Sequence, residues 1–204
     1  MTDMQTVRVG GKQLATPIVI LVRPQMGENI GAAARAMMNC GLLDLRLVSP
    51  RDGWPNPATL PMAAGGAPII ANAKVFETVA EAAHDVTMLF ALSARRRDLR
   101  IMSSHPRAAA AMMVAHAGLG DRLSDRRCAI MFGPEASGLD NDEVVLADRI
   151  VTAALNPGYP SLNLAQAVLL MAWEWREAVR LDDQTPPIDA GHFPASIRDR
   201  DLFL

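Results

Sequence analysis

The sequence predicts one α/β domain built on a mostly parallel, buried sheet with flanking helices. Short runs rich in Val, Ile and Leu alternate with helical patterns along the chain, and this alternation is typical of parallel sheets joined by crossover helices. The chain has 204 residues, 50% of them hydrophobic and 21% charged. This length and composition predict one domain with a single buried core rather than several domains.

We divide the chain into a flexible N-terminal arm over residues 1–16, a domain over residues 17–181 and a tail over residues 182–204. The arm is polar, contains Gly10-Gly11 and shows no sustained hydrophobic period. The predicted strands are Ile18–Val22, Leu45–Val48, Val86–Ala91, Cys128–Phe132 and Ile150–Ala153. The predicted helices are Asn29–Cys40, Glu77–Ala83, Arg107–Ala117, Asn141–Ala147 and Leu162–Leu181. The segment 51–68 is rich in Pro and Gly, which predicts a long irregular connection.

Residues suited to helix ends support these boundaries. Asn29 is an N-cap residue type before the first helix, and Gly41 and Gly118 stand where C-caps are expected. Pro106 suits the first turn of the helix that it opens. Ser161 or Asn163 caps the last helix, where Asn163 with Gln166 resembles a capping box.

The last predicted helix is apolar on nearly all sides. One stripe contains Leu169 and Trp173, and another contains Val168, Met171 and Trp175. Such a helix must be covered on both faces, either by its own core or by a second subunit.

Composition excludes several classes of protein. The longest apolar run near the start, Ile18–Val22, is far shorter than a membrane span, so we expect a cytoplasmic protein without a membrane partner. Cys40 and Cys128 each lie in an apolar stretch, which predicts reduced thiols, and the four histidines lack the spacing of a metal site.

The basic residues are nearly all arginines. The net charge is −2, yet only two of the 20 basic residues are lysines, leaving 18 arginines. An anionic ligand near the cluster Arg95–Arg107 and a solvated charged surface are both compatible with this charge.

The loops that follow the strands are the expected place for a ligand site in an α/β sheet. They begin after Val22, Ala91, Phe132 and Ala153. None contains the Gly-x-Gly-x-x-Gly or Gly-x-x-x-x-Gly-Lys pattern of nucleotide-binding folds, nor a Gly-x-Ser-x-Gly elbow.

Arg35 is unusual because it is the only charged residue in the Ala/Met helix segment 32–38. An arginine on a largely apolar helix requires an anionic or hydroxyl partner.

Three segments carry a family resemblance. They are Asn29-Ile-Gly-Ala-Ala-Ala-Arg35, Phe132-Gly-Pro-Glu-Ala-Ser-Gly-Leu139 and Ser161-Leu-Asn-Leu-Ala165. In order and spacing they resemble the motifs of the SPOUT-class RNA ribose 2′-O-methyltransferases, above all the TrmJ-like branch of the TrmH family, over residues 17–180. The resemblance implies a C-terminal trefoil knot, a homodimer, S-adenosyl-L-methionine as cofactor and tRNA, rather than DNA, as partner. It further implies 2′-O-methylation of the pyrimidine nucleotide at position 32 in the anticodon loop.

The resemblance also implies roles for single residues. Arg35 matches the catalytic arginine, Asn29 the residue that supports it or holds substrate phosphate, and Glu135 the acid of the second motif. Ser161 and Asn163 match the pair beside the donor. The implied cofactor-binding set is Leu92, Ser93, Gly133, Glu135, Leu155, Ser161, Leu162 and Asn163. The implied RNA-binding set is Arg23, Arg35, Arg95, Arg96 and Arg97, and no metal is implied.

The sequence departs from the family pattern at two points. Ala91-Leu92 stands where the branch often has Gly-Thr before Ser-Ala-Arg, and we interpret residues 182–204 as the start of a truncated or missing C-terminal extension. Two other functions remain open at this point. One is ribosomal RNA 2′-O-methylation, and the other is RNA binding without catalysis.

Overall fold

The computed structural model describes residues 6–9, 12–94, 100–118 and 126–180. The strands in this part of the chain are β1 (Thr6–Val9), β2 (Lys12–Ala15), β3 (Ile18–Val22), β4 (Leu45–Val48), β5 (Lys74–Phe76), β6 (Met88–Leu92), β7 (Ser103–Ser104), β8 (Cys128–Phe132) and β9 (Arg149–Val151). The helices are α1 (Gly27–Cys40), α2 (Thr59–Ala63), α3 (Ala67–Ala71), α4 (Val79–Ala82), α5 (Pro106–Ala117), α6 (Asn141–Val144) and α7 (Leu164–Arg180), with a 3₁₀ turn at Ala64–Gly66.

Seven strands form one sheet in the order β5-β4-β3-β8-β6-β9-β7. Every neighbouring pair in it is parallel. Strand β3, next to the middle strand β8, places Ile20 opposite Arg46 of β4 on one side and Met131 of β8 on the other. The predicted α/β class with a mostly parallel sheet is therefore confirmed. Because the strands are parallel, all their carboxyl ends lie at one edge, where a ligand site is expected.

Helices cover both faces of this sheet. In β3, Val19 and Leu21 belong to a core cluster that includes Met37 of α1 and Trp175 of α7. Alternate residues of the same strand, such as Ile20, belong to a second cluster on the other face with α4 and α6. Side chains alternate across a strand, so a continuous apolar run supplies both cores. This double burial explains why the apolar runs predicted β3, β4 and β8 with their observed bounds.

The first helix begins earlier than the sequence predicted. Helix α1 starts at Gly27, and Met26 precedes it without a side-chain cap. Asn29 therefore lies inside the first turn, so its prediction as the N-cap is wrong. Gly41 ends the helix in the left-handed conformation, with φ of 77°, and this confirms the predicted C-cap.

Two segments predicted to be irregular contain regular structure. Within the predicted flexible arm, β1 and β2 pair as an antiparallel hairpin, whose Leu14 is buried and has a side-chain atom next to Gly118. Within 51–68, α2, the 3₁₀ turn and the start of α3 pack beside α1. Both corrections have the same physical cause, because these pieces are too short to show a hydrophobic period and are stabilised by packing on distant helices.

A cluster of four charges lies at the amino ends of β4, β6 and β8. Arg46 is 1% exposed and donates to both carboxylate oxygens of Asp85 at 2.6 and 3.0 Å, while Arg127 donates to Asp44 at 2.8 Å. The hydrogen bond from Arg46 lowers the pKa of Asp85 to about 2. Burial alone lowers the pKa of Arg46, but its bonds and charge interactions with Asp85 and Asp44 outweigh burial and raise it. The cluster joins three strands at the edge opposite their carboxyl ends.

The last helix buries one face and exposes another. Trp175 is 2% exposed and belongs to the core, whereas Trp173 is 54% exposed and Leu169 is also exposed. In the described part of the chain no helix is long and apolar enough to cross a membrane.

Candidate active site at the carboxyl ends of the strands

A pocket of about 330 Å³ opens at the carboxyl edge of the sheet. Its walls come from the segments that follow β6, β8 and β9 and from the first turn of α7. The lining residues are Leu92, Ser93, Ala94, Phe132, Gly133, Pro134, Glu135, Ala136, Ser137, Gly138, Ala153, Leu155, Pro160, Ser161, Leu162, Leu164 and Ala167. They include seven of the eight residues assigned to the cofactor by resemblance. The eighth, Asn163, lies between two lining residues.

The second motif forms a tightly folded loop along one wall. A Cβ atom added to Gly133 would lie 2.2 Å from the backbone nitrogen of Leu139 and 2.3 Å from the carbonyl carbon of Gly138. Gly138 itself has φ of 67°, and its N–H donates to the carbonyl of Pro134 at 2.8 Å. Glycine is thus required at the first of these positions by contact and favoured at the second by conformation.

Glu135 is held by two N–H donors from the first motif's region. Its Oε2 accepts from the backbone N–H of Gln25 at 2.9 Å, and its Oε1 accepts from Nδ2 of Asn29 at 2.7 Å. Both carboxylate oxygens are therefore occupied, and the carboxylate is half-buried. This arrangement suits a carboxylate that fixes the pocket loop to α1.

Asn29 also reaches the third motif. Its Oδ1 accepts from Nδ2 of Asn163 at 3.1 Å, and Oδ1 of Asn163 accepts from the backbone N–H of Ala165 at 2.9 Å. The backbone N–H of Asn163 donates to Oε1 of Gln166 at 3.0 Å, so the predicted capping box is present. A continuous chain of hydrogen bonds, Glu135 to Asn29 to Asn163, joins residues from all three motifs.

Arg35 lies about one and two-thirds turns along α1 from Asn29 and is exposed. Among the described residues its side chain has no hydrogen-bond or ion-pair partner. The backbone beside it is closely packed, because a Cβ on Gly66 would lie 2.9 Å from the nitrogen of Arg35. A closely packed backbone and a guanidinium without a partner in the described part of the chain leave this charge available to a ligand.

The remaining residues of the predicted sites are placed differently. Ser93 is buried and Ser161 is exposed, and both line the pocket. Arg23 forms ion pairs with Asp140 at 2.8 Å and with Glu143. Its charge is therefore partly balanced within the chain, although the side chain is still 38% exposed, and its place in the RNA-binding set stays a prediction. Arg95, Arg96 and Arg97 lie outside the described residues.

Arg51 supports the site and was missed at the level of the sequence. Its Nη2 donates to the carbonyl of Gln25 at 2.8 Å, and its backbone N–H donates to the carbonyl of Pro24 at 3.1 Å. Arg51 thus holds the carbonyl groups of the same loop, residues 24–25, whose N–H group donates to Glu135. A lone arginine in a Pro- and Gly-rich segment carries no local signal of this role.

The fold and the pocket together define an α/β protein with a pocket of small-molecule size at the carboxyl ends of a parallel sheet, bordered by loops that carry polar side chains. The family model of the SpoU rRNA Methylase family matches residues 16–173. The chain belongs to this family, and the resemblance of its three motifs to RNA methyltransferases is confirmed.

Similar proteins agree with this assignment. LasT of Escherichia coli (strain K12), named an uncharacterized tRNA/rRNA methyltransferase, is 37% identical over 188 residues, covering 91% of this chain and 79% of LasT. The tRNA (cytidine/uridine-2′-O-)-methyltransferase TrmJ of Cronobacter sakazakii is 37% identical over 170 residues, covering 82% of this chain and 66% of that protein. The crystal structure of TrmJ from Z. mobilis ZM4 is 48% identical, with a TM-score of 0.75 over 80% of this chain and 69% of that one. The chain thus spans about two thirds of the length of either TrmJ.

Proposed function

We propose that this protein transfers a methyl group from S-adenosyl-L-methionine to the ribose 2′-hydroxyl of a pyrimidine at position 32 of the tRNA anticodon loop. The observation that carries the proposal is the hydrogen-bonded chain from Glu135 through Asn29 to Asn163 beside the pocket. It brings the three motifs together around a single cavity. Because the proposed substrate is tRNA, we also propose that the protein acts in the cytoplasm.

The pocket suits the proposed donor. Its volume of about 330 Å³ falls at the lower end of the range for small-molecule sites. Leu92, Leu155 and Leu162 provide apolar walls for the adenine and ribose, and backbone groups around Ser93 and Gly133 provide polar contacts. S-adenosylmethionine, when bound, supplies a methyl group on a positively charged sulfur.

Arg35 acts on the acceptor rather than on the donor. A guanidinium with a pKa above roughly 12 is a poor proton acceptor at neutral pH. We therefore assign it to orienting the 2′-hydroxyl and stabilising the negative charge that develops on that oxygen. The proton passes to a substrate phosphate or to water.

Asn29, Glu135 and Asn163 act as a rigid frame. Each is bonded to another at 2.7 to 3.1 Å, so the start of α1, the pocket loop and the start of α7 cannot shift independently. Ser161 contributes its exposed hydroxyl to the pocket next to this frame. Holding reacting groups within a fraction of an ångström is a large part of the catalysis of group transfer.

The decisive experiment compares Arg35→Ala with Arg180→Ala. Both remove an exposed arginine from a long helix, but Arg180 lies at the end of α7 farthest from the pocket. We expect Arg35→Ala to lower the rate of methyl transfer about 100-fold or more, with donor affinity from calorimetry unchanged, and Arg180→Ala to behave as wild type. Equal losses of donor affinity and rate would assign Arg35 to the donor site instead.

The same assay distinguishes the possible substrates. Because 2′-O-methylation blocks alkaline cleavage of the adjacent phosphodiester, the modified nucleotide is mapped from the missing cleavage product. We expect protection at position 32 of tRNA. Protection from cleavage only in ribosomal RNA would support ribosomal RNA 2′-O-methylation, the alternative that the tRNA/rRNA name of LasT favours. Binding of the donor without methyl transfer to either RNA would indicate a non-catalytic protein.

We also propose a homodimer that covers the exposed face of α7. Leu169 and Trp173 lie four residues apart on this helix and are both exposed, which is costly for apolar side chains of their size. Trp173→Glu should lower the mass measured by light scattering from dimer to monomer, with Val75→Glu as the control on the outer strand β5. A wild-type monomer at micromolar concentration would refute the dimer.

A trefoil knot in the C-terminal part of the domain is a further part of the proposal. It rests on the family and on the pocket loops that follow β6, β8 and β9, three adjacent strands of the sheet. A crystal structure that traces residues 126–180 without passing through a loop of the chain would refute it.

A further inference from the structure

Tyr159 is the single tyrosine of the chain, and it is 75% exposed. It lies at the end of a turn that begins at Asn156. The backbone N–H of Tyr159 donates to the carbonyl of Asn156 at 2.9 Å, and the N–H of Gly158 donates to Oδ1 of Asn156 at 2.9 Å. The backbone that presents the ring is therefore fixed, although the ring itself is largely in solvent.

The turn stands at the rim of the pocket. Leu155 precedes it and Pro160 and Ser161 follow it, and all three line the cavity. Tyr159 is not among the residues that line the cavity, so it stands beside the pocket without forming its wall.

We propose that Tyr159 forms a stacking platform for an unpaired nucleobase of the RNA substrate, beside the nucleotide whose ribose enters the pocket. The inference rests on the proposed function and adds a base-binding subsite to it. Single-stranded RNA is recognised by stacking its splayed bases on aromatic side chains, and tyrosine provides such a face with little conformational freedom to lose.

The surroundings of Tyr159 favour a nucleobase over a protein partner. Its exposed neighbours along the turn are Asn156, Pro157, Gly158 and Pro160. Asn156 is polar, and Pro157 and Pro160 add only two small apolar surfaces next to the aromatic ring, whereas a protein contact centred here requires a larger contiguous apolar patch. One exposed aromatic ring between two prolines matches one stacked base.

The test uses three variants and two measurements. Tyr159→Leu removes the aromatic face, Tyr159→Phe keeps it, and Val75→Ala trims an exposed apolar residue at the outer strand of the sheet. Binding of an unmodified tRNA transcript is measured by fluorescence anisotropy, and methyl transfer to the same transcript is measured as kcat and KM, with donor affinity from calorimetry.

For Tyr159→Leu we expect the dissociation constant and the KM for tRNA to rise about 5- to 150-fold, the loss of one base–aromatic stack. The kcat and the donor affinity should stay unchanged, because stacking stabilises bound substrate and transition state equally. Tyr159→Phe and Val75→Ala should behave as wild type.

Three results would overturn the subsite. They are wild-type tRNA affinity in Tyr159→Leu, a parallel loss of donor affinity, and conversion of a wild-type dimer to a monomer by Tyr159→Leu. The last would make Tyr159 a contact to a second copy. A wild type that binds tRNA through Tyr159 without methylating it would refute the proposed function and leave the subsite standing. A wild type that binds no tRNA would refute both.

Discussion

Gly133→Ala tests whether the close folding of the second-motif loop is what shapes the pocket. The added Cβ would lie 2.2 Å from the nitrogen of Leu139, whereas ordinary contact begins at 3.4 Å. The loop backbone must therefore move by about 1.2 Å, because the blocking atoms belong to the backbone and cannot rotate away. A shift of that size along the bonds of Glu135, which are 2.7 and 2.9 Å long, would break them.

The size of the effect follows from this geometry. Overpacking of this kind costs about 1–3 kcal/mol. If this free energy is lost from binding of the methyl donor, the dissociation constant of the donor rises roughly 5- to 150-fold. Expressed as stability, the same cost lowers the melting temperature by about 2–12 °C for a domain of this length.

Calorimetric titration of the donor and thermal unfolding provide the two measurements. The matched control is Gly158→Ala in the turn that begins at Asn156, where an added Cβ meets only Oδ1 of Asn156 at 3.5 Å. We expect this control to be neutral. Wild-type donor affinity and melting temperature in Gly133→Ala, or an equal loss in Gly158→Ala, would refute the argument from backbone contact.

Three further predictions follow from the charged and thiol groups. Asp85→Asn should destabilise the fold by about 1–3 kcal/mol at pH 7 in urea unfolding. Since Arg46 lowers the pKa of Asp85 to about 2, its ionic contribution is complete above the ordinary value of 3.8 and is lost as pH falls through about 2, so the difference from wild type should shrink there. Burial raises the pKa of Cys128 to about 12, and iodoacetamide at pH 8 should leave this thiol unmodified in the folded protein, as mass spectrometry would show. Arg23→Gln and Glu143→Gln should each lower the free energy of unfolding by about 0.5 kcal/mol, and the double variant by no more than one of them. A loss of tRNA affinity in Arg23→Gln but not in Glu143→Gln would support the predicted contact of Arg23 with RNA.

The sequence by itself determined the central strands and the residues of the motifs. Strands such as Ile18–Val22 are identified by their own composition, since a run of apolar residues buried on both faces needs no knowledge of its neighbours. The same holds for Gly41 as a helix end and for Asn163 with Gln166 as a capping box, because these interactions span only a few residues.

Tertiary structure alone decided how the motif residues act on one another. Asn29 looks like a helix cap in the sequence, yet it bonds to Glu135 and Asn163, which are 106 and 134 residues away. Arg23 and Glu143, which form an ion pair, are likewise 120 residues apart in the sequence. The burial of Trp175 and the exposure of Trp173 depend on which face of α7 meets the sheet. Each of these contacts depends on which distant segments of the chain pack together, and local hydrophobic periodicity carries no information about that packing.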